Sequence, residues 1–324
     1  MRAALTERYG PPEVVRLTDR PDPVPGPGEA LVAVAAAGVS RGDARMRALD
    51  VPAGFGPILW MLVGMRGPRR PVRGSEFAGV VEALGPGAPG LSPGQRVMGI
   101  LGLRGGAHAE RLVVAAAGMV LPTPDTLSDE EAAGFFFGGL TAAAFLIDHA
   151  KLARGERLLV NGGTGAVGSA AIQIGRHLGA AVTAVGRSEN ADLARDLGAR
   201  AVLDYREGPL RGTWDVVMDV AGTLPWPVAR GLLAPGGRLI PITTESLGAT
   251  LGAALRPRRD GRRITAGNFA ETRAGMERLL AIHAAGGYRP VIGAALPFER
   301  IVEAHRLAES NHKRGNVVVT MGPA

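Results

Sequence analysis

The chain has 324 residues, 46% of them hydrophobic and 4% aromatic, which is enough for two domains with cores of aliphatic side chains. It contains no cysteine, which excludes disulfides, thiolate nucleophiles and cysteine-ligated metal sites. The net charge of +7 would suit a nucleic-acid binder, but the Arg clusters at 66–73 and 256–263 lack interleaved stacking aromatics. We therefore expect these clusters to be solvated or to bind a small anion, and we do not expect a nucleic-acid partner.

Two stretches bear on membranes and on localisation. The first residues, MRAALTERYG, are interrupted by charges and lead into no apolar core, so they do not form a signal peptide. The apolar stretch 53–65 is too short and too broken by Gly and Pro to span a bilayer. It is interpreted equally well as a lid over a lipophilic substrate, a dimer contact or a core helix. We expect a cytoplasmic protein with no membrane partner.

Residues 1–121 predict a barrel-like β domain. Apolar strands are predicted at Glu29–Ala37 and Phe77–Ala83, and PDPVPGPG and GPGAPGLSPG are typical turn clusters. Many short strands separated by Gly and Pro favour a closed β architecture.

After Pro122 the pattern changes to alternating helices and strands. Ser128 and Glu131 form a capping-box pattern, and helical sequence continues to Gly155. Strands and helices then alternate, which predicts a doubly wound α/β domain around a parallel sheet. The predicted strands are 157–161, 180–185, 201–205, 214–220 and 236–242, and the helices are 167–178, 190–197, 225–233 and 271–285. We expect the tail, which returns to strand, helix and strand, to pack on the first domain.

The stretch VNGGTGAVG lies between the first strand and first helix of this alternating region. Gly163, Gly165 and Gly168 have the GxGxxG spacing. In this motif the first glycine makes a tight turn, the second lets the backbone approach a pyrophosphate, and the third lets the helix pack closely on the strand. The backbone of Thr164, Ala166 and Val167 would then bind phosphate at the helix N-terminus. The alternative is that the glycines serve helix–sheet packing alone.

The end of the next strand indicates which dinucleotide binds. An NAD site places a carboxylate there, whereas this chain has Arg187 and Ser188, which would bind a 2′-phosphate. This favours NADPH over NADH. Arg187 is otherwise an exposed surface charge, and Glu189, one residue further, remains able to reach a ribose.

Motifs along the whole chain resemble the medium-chain dehydrogenase/reductase superfamily, and more narrowly its zinc-free NADPH:quinone oxidoreductase-like branch. The matching stretches include MRAALTERYGPPEVVRL, RGSEFAGVVEALGPG, GGLTAAAFL, RLLVNGGTGAVGSAAIQIGRHLGA and GNVVV. The resemblance implies a chaperonin-10-like (GroES-like) β-barrel domain formed by 1–121 plus 287–324, a Rossmann NADPH-binding domain at 122–286, and a homodimer.

The resemblance also implies a site without zinc. Zinc-dependent relatives have a Cys in a GVCxxD-like stretch and a His in GHE, where this chain has Ser40 and Ser75, neither of them a good zinc ligand. Without a metal, the nicotinamide supplies the hydride, and the protein positions and polarises the acceptor.

Further site residues are implied by their matches to family motifs. On the catalytic side, Ser40 replaces an Asn near the nicotinamide, Asp43 keeps that motif's Asp, Tyr9 matches an aromatic at the pocket mouth, and His108 replaces an aromatic. Asp43 is alternatively a turn or N-cap residue, His108 a barrel-filling residue and Tyr205 a strand cap. The implied cofactor contacts are Thr141, Tyr205, Val220, Ala221, Gly222, Ile242, Thr243, Asn268, Phe269 and Asn316, the last replacing the family's usual Lys.

The sequence leaves several activities open. The leading prediction is an NADPH-dependent reductase of quinones or α,β-unsaturated carbonyls, acting on an apolar small molecule. The alternatives are an enoyl reductase for thioester-tethered substrates of secondary metabolism, a zinc-free alcohol dehydrogenase, and a non-catalytic NADPH-binding sensor or RNA binder.

Overall fold

The computed structural model of the chain describes residues 1–50, 64–65, 67–242, 259–265, 267, 271–310 and 313–322. Most of the apolar stretch 53–65, together with Thr243, Asn268 and Phe269, lies outside the described residues.

The N-terminal part is a mostly antiparallel β structure. Its strands alternate buried and partly exposed side chains, so that Val32 and Val34 of β3 (Glu29–Gly38) and Val81 of β4 (Glu76–Leu84) face a common interior with Phe77. A short helix, α1 (Arg41–Ala48), follows β3. The strands are β1 (Arg2–Thr6), β2 (Val15–Asp19), β3 (Glu29–Gly38), β4 (Glu76–Leu84), β5 (Arg96–Ile100), β6 (Arg111–Ala115) and β7 (Val120–Pro122).

Two helices connect this part to the parallel sheet. The predicted capping box is present, because the Ser128 hydroxyl accepts from the Glu131 N–H and the Glu131 carboxylate accepts from the Ser128 N–H. The helical run expected to reach Gly155 is divided into α2 (Asp129–Ala133), α3 (Phe136–Ala143) and a π-helical turn (Ala144–His149). Gly134 ends α2, and its N–H bonds back to the carbonyls of the preceding turn.

The second half is a doubly wound α/β domain, as predicted. Among the described residues, six parallel strands have the order β10-β9-β8-β11-β12-β13. The central strand β8 is buried on both faces, with Leu158 and Val160 in one core and Leu159 in the other. The elements are β8 (Arg157–Asn161), α4 (Ala166–His177), β9 (Ala181–Gly186), α5 (Ala191–Asp196), β10 (Ala201–Asp204), β11 (Trp214–Asp219), α6 (Trp226–Leu232), β12 (Leu233–Pro241), β13 (Arg263–Ile264) and α7 (Arg273–Ala284).

The tail returns to the N-terminal part of the molecule. It forms β14 (Ile292–Pro297), α8 (Ile301–Glu309) and β15 (Asn316–Thr320). β15 pairs in parallel with β14 and antiparallel with β3, in a sheet of order β14-β15-β3-β4-β5-β7 with β6 also on β3. The tail strands thus share a sheet with β3 of the N-terminal part. The domain boundaries at 121/122 and 286/287 stay predictions.

Within the described part of the chain, no helix combines the length and apolar character needed to cross a bilayer.

Candidate active site

The glycine turn connects β8 to α4 at the centre of the parallel sheet. The left-handed residue is Gly162, with φ of 85°. We expected Gly163 to make the tight turn, and this was wrong: a Cβ there would lie 2.9 Å from the Ala184 Cβ, so packing on β9 requires this glycine. A Cβ on Gly168 would lie 2.1 Å from the Gly162 oxygen, so the third glycine permits the close approach of helix and turn.

The N-terminus of α4 has no side-chain cap. Gly165 is the N-cap and supplies no side-chain cap, so the N–H groups of Ala166 and Val167 have no capping oxygen from it. A Cβ on Gly165 would meet nothing nearer than the Gly162 oxygen at 4.0 Å, which leaves space beside these donors. Backbone N–H groups at the positive end of a helix are suited to a pyrophosphate.

The end of β9 carries the residues that we predicted to select the cofactor. The Arg187 Nε donates to the Tyr205 hydroxyl at 3.0 Å, so these two residues, predicted separately, form one group. The Ser188 N–H donates to the Asp204 carboxylate at 2.8 Å. Ser188 and Tyr205 are exposed, so both are accessible to a ligand.

Arg206 is a member of this group that sequence reasoning missed. Its guanidinium donates to both carboxylate oxygens of Glu189 at 2.9 Å and to the Ser188 hydroxyl at 3.0 Å. It also binds Asp204, and this hydrogen bond holds the pKa of that carboxyl below its ordinary value. Glu189 therefore has a cationic partner beside the ribose end of the site. The available signal was that Arg206 follows β10, whose carboxyl end lies next to that of β9 in a parallel sheet.

A second turn packs against the glycine turn. The N–H groups of Val220 and Ala221 donate to the Asn161 carbonyl. The buried Asp219 carboxylate accepts from the Gly222 N–H at 2.9 Å and the Asn161 side chain at 2.7 Å. A Cβ on Gly162 would lie 3.2 Å from the Ala221 Cβ, so these two predicted contact segments adjoin.

Thr141 lies on α3, whose Gly138 packs against the glycine turn, and Ile242 follows strand β12. Thr141 is buried on α3 and donates its hydroxyl to the Phe137 carbonyl at 2.6 Å. The Ile242 N–H donates to the Asp219 carbonyl at 3.0 Å. Gly138 of α3 is close to the glycine turn, since a Cβ there would lie 2.7 Å from the Ala166 oxygen.

On the barrel side, Ser40 and Asp43 form a capping box at the start of α1. The Asp43 carboxylate accepts from the Ser40 N–H at 2.8 Å and from its hydroxyl at 2.6 Å. The Ser75 hydroxyl also donates to this carboxylate, at 3.3 Å. Ser40 is thus the N-cap of α1, and Asp43 is the third helical residue of the capping box. Asp43 also joins the two serines that the resemblance aligns with zinc ligands.

Arg73 and His108 interact electrostatically with this carboxylate, and Tyr9 interacts with Arg73. The Tyr9 hydroxyl donates to the Gly64 carbonyl at 2.9 Å, and burial raises the pKa of Tyr9. The His108 Nε2 lies 3.0 Å from the Gly38 oxygen in the barrel interior, and burial lowers the pKa of this imidazole. Arg73, which we did not predict, is buried, and its Nε has no hydrogen-bond partner among the described residues.

Three further titratable groups, none of them predicted, lie close to Asp43. Burial raises the pKa of Glu76 well above its ordinary value, although its carboxylate accepts from the Phe137 N–H. Burial, with a contribution from the Asp43 charge, also raises the pKa of Glu271. Lys313 interacts electrostatically with Asp43 and Glu76. Elements far apart in sequence bring this carboxylate–lysine cluster together, so no local motif indicated it.

Asn316 lies in the tail, next to the residue that contacts the glycine turn. Its backbone N–H and its side-chain amide both donate to the Val291 carbonyl, at 2.7 and 3.1 Å. The neighbouring Gly315 donates its N–H to the Thr164 carbonyl of the glycine turn at 2.8 Å. The tail therefore touches the predicted cofactor site through its backbone, and Lys313 lies two residues before this contact.

The donor set around Asp43 does not fit a zinc ion. Across the described residues, no group of three or more His, Asp or Glu side chains has an arrangement that would hold a metal. The nearest polar partners of Asp43 are serine hydroxyls, which are poor zinc ligands.

Two family models match the chain. The model described as "Alcohol dehydrogenase GroES-like domain" matches residues 26–125, and the one described as "Zinc-binding dehydrogenase" matches residues 197–319.

Known proteins match over most of the chain. The quinone oxidoreductase of Homo sapiens is 30% identical over 325 residues, covering 94% of this chain and 93% of that protein. The spectinabilin polyketide synthase system protein NorB of Streptomyces orinoci is 31% identical over 92% of this chain, which spans only 13% of that protein's length. The solved structure of a quinone oxidoreductase from Coxiella burnetii superposes with a TM-score of 0.85 at 25% identity and covers 99% of both chains.

Proposed function

Because this chain belongs to the quinone oxidoreductase-like branch of the medium-chain dehydrogenase/reductase superfamily, and is thereby an NAD(P)H oxidoreductase, we propose that it is an NADPH-dependent reductase of quinones or α,β-unsaturated carbonyls. The observation that carries the proposal is the cationic surface at the end of β9. There Arg187 and Ser188 face solvent beside Arg206, and the nearby Glu189 is paired.

The residues present fit the cofactor. The uncapped N–H groups at Gly165–Val167 suit the pyrophosphate, and the Arg187–Ser188 surface suits a 2′-phosphate. When bound, NADPH supplies a hydride. The roles proposed for Thr141, Val220–Gly222 and Ile242 follow from their positions on α3, after β11 and after β12, respectively.

The reaction is proposed to need no metal. Ser40 and Ser75 surround Asp43 where a zinc enzyme would need soft or imidazole ligands. Hydride addition to a conjugated acceptor places negative charge on its oxygen, and hydrogen-bond donors at that oxygen would stabilise it. We expect an apolar small-molecule acceptor, a homodimer and a cytoplasmic location.

A second candidate is an enoyl reductase acting on thioester-tethered substrates. What favours it is the 31% identity to a polyketide synthase protein over 92% of this chain. A stand-alone enzyme of this kind would accept enoyl thioesters in preference to free quinones.

One set of assays tests these proposals. NADPH oxidation is followed with quinones, simple enones, enoyl thioesters and aldehydes, each repeated with NADH and after chelation of metal. We expect turnover of quinones or enones, faster with NADPH and insensitive to chelator. Preferred turnover of thioesters would support the second candidate. Exclusive turnover of aldehydes, dependence on stoichiometric zinc, or tight NADPH binding without any turnover would refute the proposed function.

A further inference from the structure

Arg314, in the tail just before β15, reaches the surface at the end of β9. Its Nη2 donates to the Glu189 carbonyl at 3.1 Å. Within the described ranges this is the single hydrogen bond of Arg314, although a guanidinium carries several N–H donors. The exposed side chain therefore extends from the tail to the turn that carries Arg187 and Ser188, and it has donors left for a ligand.

The backbone that carries Arg314 is fixed beside the glycine turn. The next residue, Gly315, donates its N–H to the Thr164 carbonyl at 2.8 Å and forms a parallel bridge with Gly165. Gly315 has φ of 54°, and a Cβ there would overlap the Val291 oxygen, so only glycine allows this path. The base of the Arg314 side chain therefore has a defined position next to the predicted phosphate site.

Thr164 joins the tail to the turn that follows β9. Its carbonyl accepts from Gly315, and its hydroxyl accepts from the Asn190 side chain at 3.4 Å. A Cβ on Gly186, the last residue of β9, would lie 4.0 Å from the same hydroxyl oxygen. The tail, the glycine turn and the residues after β9 therefore adjoin around Thr164.

The charges at this place leave two arginines available to an anion. Arg206 pairs with the carboxylates of Glu189 and Asp204, at 2.9 and 2.6 Å. In the part of the chain that the structure describes, Arg187 and Arg314 pair with no carboxylate, and their hydrogen bonds go to a hydroxyl and to a backbone carbonyl. Guanidinium groups bind phosphate oxygens through their planar set of N–H donors.

We propose that Arg314 is a specificity-determining residue of this reductase that binds the 2′-phosphate of NADPH together with Arg187, an inference that rests on the proposed function. The phosphate oxygens accept hydrogen bonds from both guanidinium groups. NADH has a hydroxyl at the same position and brings no charge to Arg314. Because β15 follows Arg314 directly and pairs with β3, the 2′-phosphate also connects the cofactor site to the sheet of the first domain.

Two nucleotides without a nicotinamide test this role by calorimetric titration. Adenosine 2′,5′-bisphosphate carries the 2′-phosphate, and adenosine 5′-phosphate lacks it. Arg314→Ala is expected to lower the affinity for the bisphosphate by about 10-fold and to leave the affinity for the monophosphate unchanged. Arg300→Ala is the matched control, since Arg300 is an exposed arginine of the tail that pairs with Glu303, and it should change neither affinity.

Two conservative variants separate charge from packing. Arg314→Lys keeps the positive charge and should retain more affinity for the bisphosphate than the neutral Arg314→Gln. An unchanged affinity for the bisphosphate in Arg314→Ala would overturn the proposal. An equal loss of affinity for both nucleotides would assign Arg314 to support of the glycine turn and would also overturn it.

Hydrogen exchange measures the connection to the tail without turnover. At saturation, NADPH is expected to slow amide exchange in peptides that cover residues 313–320 more than NADH does. The reason is that the 2′-phosphate holds Arg314, and the Gly315 N–H next to it bonds the glycine turn. The difference should disappear in Arg314→Ala and persist in Arg300→Ala. Equal protection by both cofactors in the native protein would overturn the proposal.

The outcomes separate this proposal from the proposed function. If the native protein reduces quinones or enones with NADPH and Arg314→Ala keeps its affinity for the bisphosphate, the role of Arg314 fails and the reductase stands. If the native protein reduces no acceptor, the proposed function fails, and the nucleotide titrations still decide whether Arg314 binds the 2′-phosphate. If the native protein binds both nucleotides equally, the NADPH preference and the role of Arg314 fail together.

Discussion

Arg187 and Arg206 approach the same small surface from the ends of two adjacent strands. Arg187 is anchored by the Tyr205 hydroxyl, while Arg206 neutralises Glu189 and Asp204. A 2′-phosphate arriving there meets one available guanidinium and no unpaired carboxylate among these residues. The sequence predicted Arg187 from its distance to the glycine turn. The role of Glu189 stayed ambiguous because its partner, Arg206, follows a different strand.

Removing either arginine should change cofactor choice. Arg187→Ala is expected to weaken NADPH binding by about 1.5–3 kcal/mol, one to two decades, with little effect on NADH. Arg206→Ala should reduce the NADPH preference as well, because it leaves the Glu189 and Asp204 charges unpaired near the phosphate. Fluorescence titration with both cofactors measures each affinity.

Arg195→Ala is the matched control for both variants. Arg195 lies on α5 and pairs with the exposed Asp192. Its loss should leave the NADPH/NADH ratio unchanged. An unchanged ratio in Arg187→Ala would show that Arg187 is a surface charge without a role in cofactor selection.

At the scale of elements, the close contact of α4 with the glycine turn sets the shape of the cofactor cradle. The contact is backbone to backbone, because Gly168 faces the Gly162 carbonyl, and Gly162 itself holds a left-handed turn. The periodicity of the sequence predicted the strand, the turn and the helix, which depend on neighbouring residues. It did not identify which glycine turns the chain, because Gly162 and Gly163 are adjacent and only the packing on β9 distinguishes them.

Gly168→Ala is expected to disturb this cradle. The added Cβ must displace α4 from the turn, at a cost of about 1–3 kcal/mol of stability, and NADPH affinity should fall with it. Gly231→Ala in α6 is the control, since a Cβ there meets nothing within 4 Å. It should stabilise the protein by about 0.5–1 kcal/mol, the usual gain for alanine over glycine in a helix. Thermal unfolding and cofactor titration compare the two, and equal effects would argue against tight packing at Gly168.

At the scale of the whole molecule, an ion pair holds the tail to helix α1 in addition to the pairing of β15 with β3. Arg47 of α1 is 1% exposed, donates to the Gly10 carbonyl, and pairs with Glu309 of α8 at 2.6 Å. Its Nη1 has no partner in the described part of the chain. Removing one partner of a buried guanidinium lowers the stability of the fold, because the charge is left uncompensated.

Glu309→Ala should therefore destabilise the fold by about 1–3 kcal/mol, because it leaves a buried cation without its counter-charge. Glu303→Ala on the same helix removes an exposed pair with Arg300 and should change stability little. Urea unfolding compares the midpoints of both variants with that of the native protein. Equal stability in the two variants would mean that solvent already reaches the Arg47 charge.

The sequence alone determined the alternation of strands and helices, the capping box at Ser128 and the position of the glycine turn. These features are decided by residues adjacent in the chain, through side-chain periodicity and turn chemistry. Only the tertiary structure brought Arg206 to Glu189, joined Ser40, Ser75 and Asp43, and gave Lys313 electrostatic interactions with Asp43 and Glu76. Charges interact through space, so their partners follow from strand order and from the return of the tail to the first sheet, which no local pattern encodes.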